Sequence, residues 1–161
     1  MSLRIAALCA AFAVFATQQP KPLSWENVKH VFDKLKIEYK TAKSQAGDEM
    51  MLCTYKAGGW TLPMDVSLSD DHRVLWIVMK LTAIDDPAKT PQSCAMGLLE
   101  LNDSIGPSSF SFDRSEKRFL LNTQLANNGI TMENLQDELD RMLDVLKKSQ
   151  KFWDQKSWAK G

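Results

Sequence analysis

Trp60-Thr-Leu-Pro-Met-Asp-Val-Ser-Leu-Ser-Asp-Asp-His-Arg-Val-Leu-Trp-Ile-Val-Met-Lys-Leu81 is the stretch whose reading decides the fold. Trp60, Leu62, Met64, Val66 and Leu68 alternate with Thr61, Pro63, Asp65 and Ser67. A period of two marks a strand with one buried face. Ser69-Asp70-Asp71-His72 then supplies turn formers, and a turn this tight joins antiparallel neighbours. Beyond it, Arg73–Leu81 runs Val-Leu-Trp-Ile-Val-Met without alternation, which predicts a strand covered on both faces. Pro63 has no N–H to give to a ladder, so an edge position or a bulge is expected there.

Upstream, Ser24 is a good N-cap, and Trp25, Val28, Val31, Phe32 and Leu35 follow at helical spacing, predicting a helix to about Leu35. Ile37–Lys40 starts a strand, Ser44–Asp48 is a loop, Glu49–Lys56 is strand-like, and Ala57-Gly58-Gly59 is a turn. Downstream, Asp85–Lys89 is a loop, and Thr90-Pro91 predicts an N-cap followed by proline at the first helical position. That second helix runs to about Ser104 and is broken by Gly106-Pro107. Ser108–Asp113 and Lys117–Leu125 form a hairpin, and Thr131 caps a long helix with the stripe Leu135, Leu139, Met142, Leu146 and Trp153. Strands and helices are grouped rather than strictly alternating, which is α+β with a mostly antiparallel sheet.

Residues 1–16 stand apart. Arg4 is followed by twelve apolar residues, Ile5–Ala16, ending in Val14-x-Ala16, the pattern of a secretory signal peptide. Twelve residues are too short for a membrane span, which needs about 20. An exported protein, periplasmic or secreted, is the expectation. Residues 17–23 then read as a linker, 24–155 as the α+β domain and 156–161 as a tail. Removal of residues 1–16 takes Arg4 and Cys9 with it. It leaves 145 residues, 19 basic against 20 acidic, a net charge of −1, and two cysteines. That balance gives no bulk attraction for nucleic acid or an anionic membrane. In an oxidising compartment Cys53 and Cys94 have two readings. A disulfide would close a loop of 41 residues, stabilising by roughly 3–4 kcal/mol. Two separately buried thiols are the other reading.

No catalytic constellation is present. His30 lies beside Glu26 and Asp33 on a solvated helix face; His72 sits with Asp70 and Asp71 in a tight turn, where turn formation accounts for them better than metal ligation. The chain has no nucleophile elbow, phosphate-cradling loop or His-Glu-x-x-His motif. No cofactor or metal is expected, and the protein reads as non-enzymatic. Asp137–Arg141 and Asp144–Lys148 read as i,i+4 pairs on a solvated helix face.

The second helix is the odd element. Cys94, Leu98, Leu101 and Ile105 form one stripe, and Ala95, Met96 and Leu99 lie off it. A helix apolar nearly all round is buried on more than one side. In a domain this small the second side is expected to be a subunit or client interface, built on Ala95, Met96 and Leu99, with Ala95 and Gly97 allowing close approach; a helix sandwiched between sheet and loop within one subunit is the other reading.

Gly97-Leu-Leu-Glu-Leu-Asn102, Ser109-Phe-Ser-Phe-Asp113, Arg118-Phe-Leu-Leu121 and Gly129-Ile-Thr-Met-Glu-Asn-Leu135 resemble the YbjN-like family, over about residues 24–155. Its members are labelled bacterial sensory-transduction regulators and share the fold of type III secretion chaperones. The resemblance implies a helix–strands–helix–hairpin–helix domain, often dimeric through the central helix, that binds a protein partner rather than transforming a substrate. The chain departs from the secretion chaperones in two respects, for those are cytosolic and usually acidic. The alternative reading is a small-ligand or lipid-binding exported α+β protein.

Overall fold

The computed structural model describes residues 22–44 and 47–158; the expected signal segment, residues 1–16, lies outside the described residues. Helix α1 (Trp25–Lys34) begins where expected, with the Ser24 hydroxyl accepting from the Asn27 N–H at 3.4 Å. It ends in a left-handed residue, Lys36 at φ 56°, with the Lys36 N–H on Asp33 O and the Ile37 N–H on Phe32 O. That pair of bonds satisfies the last helical carbonyls and turns the chain into the sheet.

Strands β1 (Glu38–Lys43), β2 (Glu49–Ala57), β3 (Trp60–Leu68) and β4 (Val74–Ala83) follow as a meander. Helix α2 (Gln92–Asn102) then crosses to the hairpin of β5 (Ser109–Asp113) and β6 (Arg118–Ala126). The sheet has six strands in the order β1-β2-β3-β4-β6-β5, and every pairing is antiparallel. Helix α3 (Met132–Trp153) starts at a capping box in which Thr131 and Asn134 satisfy each other's backbone N–H groups. The fold is thus α+β with an antiparallel sheet, as the sequence predicts.

The core lies between one face of the sheet and a single helical layer. Met51, Leu62, Met64, Val66, Leu75, Ile77, Met79 and Leu121 supply the sheet side. Val28 and Phe32 of α1 and the predicted stripe of α3 cover it. Trp153 meets Trp60 edge-on with ring centroids 5.5 Å apart, and its indole N–H donates to Leu146 O at 3.0 Å. Each such fully buried side chain contributes about 1.5–3 kcal/mol through removal of apolar surface from water.

Three expectations are corrected. The second strand, now β4, is not covered on both faces: opposite the helices, Trp76 is 37% exposed and Val78 and Lys80 are half-buried. Its unbroken apolar run makes an open apolar stripe rather than a contact with a second layer. β3 is an interior strand, not an edge. Pro63 is tolerated because it pairs with Thr54 of β2, whereas the β3–β4 ladder begins only at Met64. Thr90 does not cap α2; the helix starts at Gln92 after Pro91 with no side-chain cap. Helix α4 (Gln155–Trp158) packs back, the Trp158 indole N–H donating to Phe152 O at 3.0 Å.

Candidate functional site

α2 holds its inner face tightly. Cys94, Gly97 and Leu98 are buried. A Cβ on Gly97 would stand 2.5 Å from Phe152 Cε1, so α2 lies with its backbone against the Phe152 ring of α3. Gly97 therefore serves close approach within the domain, not at its surface. The other predicted interface residues turn outward: Met96 is 46% and Leu99 59% exposed, with Ala95 half-buried between the two sides. Phe112 of β5, 38% exposed, adds to the apolar surface at this end and meets Phe119 edge-on at 5.3 Å.

The C-terminus of α2 is tied to β5 by one side chain. Asn102 accepts from the Phe110 N–H through Oδ1 at 2.6 Å and donates from Nδ2 to Phe110 O at 3.1 Å. The following loop is tied to α3. Arg141 donates to Ile105 O at 3.0 Å and Ser108 Oγ at 2.9 Å, and forks onto both oxygens of Glu138. Thr123 of β6 completes the cluster, its hydroxyl donating to Glu138 Oε1 at 2.5 Å. Arg141 was expected to pair with Asp137 on a solvated face; it pairs instead with Glu138, a carboxylate 8% exposed under the helix. Sequence reasoning missed Glu138 because it sits among polar neighbours at the margin of the stripe. Lys147 rather than Lys148 pairs with Asp144, at i,i+3. Together these bonds tie α2 and its loop to β5 and α3.

A second apolar area lies on the helix-free face of the sheet, where every residue of β1–β6 is half-buried or exposed. Leu52 (42% exposed) and Trp76 stand out there beside Met50, Val78 and Leu120. An ion-paired cluster interrupts it: Lys80 bonds Asp65 at 2.9 Å and Glu116 at 3.0 Å.

Cys53 and Cys94 are free and buried, on β2 and α2 respectively, with no disulfide between them. Burial, reinforced by the charge of Asp65, pushes the Cys53 thiol from 9.0 up to about 12, and burial raises Cys94 as well. A thiol in this state is a poor nucleophile. Alkylation of native protein at pH 8 is therefore expected to leave Cys53 unmodified until denaturant is added; rapid labelling of the folded chain would contradict its burial. The sign for stability follows from linkage. Folding keeps Cys53 neutral, so its contribution is intact below the unfolded thiol pKa and is lost as pH rises from about 9 toward 12.

The turn residues behave as turn formers. His72 is left-handed at φ 56°. The Ser69 hydroxyl, donating to Asp71 Oδ1 at 2.7 Å, and then the Arg73 N–H hold the Asp71 carboxyl below its usual range. Among the described residues no group of three or more His, Cys, Asp or Glu is placed to hold a metal ion. His30 is exposed. Two surface depressions include charged residues in their linings. One, of about 290 Å³, lies between Trp25, Glu49, Asp70 and His72; another, of about 380 Å³, lies between Lys40, Leu52, Asp65 and Lys80. Among the described residues no helix is long and apolar enough to cross a membrane.

A single antiparallel sheet under one layer of helices, with a central helix clamped to the edge hairpin, places the protein in the chaperone-like class of α+β folds. A chain in the structure of the HopA1–SchA chaperone–effector complex is similar to it, with a TM-score of 0.50 at 15% identity. The match covers 79% of this chain and 97% of that one. No family model and no curated protein sequence matches the chain.

Proposed function

We propose that the protein is an exported, non-enzymatic binding domain of the YbjN-like kind, chaperone-like in action and homodimeric through α2. The observation that carries this reading is the outward face of α2. Leu99, at 59% exposed, and Met96, at 46%, sit on a helix whose inner face is already used by Phe152 and the core. Apolar residues fixed on a rigid, preorganised element lose little entropy when a partner covers them, which favours their use in binding. The likeness to a chain from a chaperone–effector complex supports a protein as the partner class. The apolar segment Ile5–Ala16 supports export.

Light scattering on the chain beginning at Thr17 tests the assembly. The expected wild-type mass is twice that of the monomer. Leu99→Glu is expected to weaken association by about a hundredfold or more, because a symmetric interface would bury two uncompensated carboxylates. Since Leu99 is exposed in the monomer, the thermal midpoint of the dilute protein should hardly change. A wild-type monomer, with no response to Leu99→Glu, overturns the reading.

A further inference from the structure

β5 is an outer strand of the sheet, and an outer strand presents unpaired N–H and C=O groups that can accept another strand. In an antiparallel strand both groups of one residue point to the same side, and the side alternates along the chain. Asn102 reaches the N–H and the C=O of Phe110 together, so both groups face away from β6. By the same alternation those of Phe112 also face outward, whereas Ser109, Ser111 and Asp113 turn theirs toward β6. The outward row of this five-residue strand is therefore Phe110 and Phe112.

We infer that Asn102 is an edge cap: its carboxamide, one acceptor and one donor in a plane, takes the place of a neighbouring strand at Phe110 and closes β5 to strand addition. With Phe110 occupied only Phe112 remains outward, and one residue cannot sustain a ladder. Asn102 is well held for this role. It is the last residue of α2, and the Gly97–Phe152 contact and the Arg141 bonds to the following loop set where that helix ends. The opposite edge, β1, is guarded by a different device, the exposed charges of Glu38, Lys40 and Lys43. One consequence rests on the homodimer proposed above: two copies meeting at α2 join through Met96 and Leu99 side chains, not through a sheet continued from β5 to β5.

Asn102→Ala is the test, read in two ways. At low concentration, amide exchange at Phe110 should rise about tenfold, the value of one net hydrogen bond. At high concentration, sedimentation should reveal species larger than those of the wild type, and adding Ser111→Lys should suppress them by placing a charge on the opened edge. Unchanged Phe110 exchange together with an unchanged sedimentation profile overturns the cap. If Asn102→Ala does not fold, Asn102→Ser is measured instead. That uncharged side chain is too short to reach both the N–H and the C=O of Phe110, and wild-type sedimentation of that folded variant overturns the inference. Failure of Leu99→Glu to dissociate a dimer would bear on the assembly proposal alone, because the exchange at Phe110 is read within one subunit.

Discussion

Arg141→Ala is expected to destabilise the domain by about 3–5 kcal/mol, because it strands the buried Glu138 carboxylate without its cation. Glu138 would keep only the Thr123 hydroxyl, and Ile105 O and Ser108 Oγ would lose their donor. Urea titration followed by circular dichroism measures the loss. The comparison that separates charge from packing is the pair Arg141→Met with Glu138→Leu, which removes both charges and should cost far less than either change alone. Arg141→Lys should fall between, since a single ammonium cannot fork onto both carboxylate oxygens and still reach the loop. If Arg141→Ala costs under about 1 kcal/mol, the cluster is not what holds the α2–β5 loop in place.

Trp153→Ala should cost about 3–5 kcal/mol, the range for deleting a large buried aromatic without collapse of the site. Trp153 is 2% exposed, meets Trp60 edge-on and donates its indole N–H to Leu146 O. Trp153→Phe retains much of the apolar volume and removes only the indole donor to Leu146 O, which the Ser149 hydroxyl also approaches at 3.4 Å, so a smaller loss is expected. The effect should reach the candidate surface. Phe152, the preceding residue, is what α2 rests on at Gly97, and exchange protection of α2 should fall more in Trp153→Ala than in a destabilised variant of β1. Equal loss of protection in both would show that α2 senses only global stability.

Much of the fold was legible because its signals are local. The alternation from Trp60 to Leu68, the left-handed Gly58-Gly59 turn, the Ser24 and Thr131 caps and the stripe of α3 each depend on residues within a turn or two of one another. The outward positions Met96 and Leu99 were legible too, since α2 carries more apolar residues than one face can bury. What failed depends on distant partners. An unbroken apolar run such as Val74–Met79 looks the same whether a second layer covers it or solvent does, and only the placement of all helices on one side exposes Trp76. Pro63 is acceptable in an interior strand only because the β4 ladder happens to start one residue later.

By itself, then, the sequence determined the elements, their order, the antiparallel sheet and the helix with an apolar face left over, because periodicity and caps are properties of neighbouring residues. Tertiary structure alone decided how that helix is used. It turned Gly97 inward onto Phe152, joined Glu138 to an arginine that looked solvated, and set Asn102 against Phe110 on the edge strand. Those contacts link residues on different elements, and no short-range pattern encodes a pairing that exists only once the chain has closed.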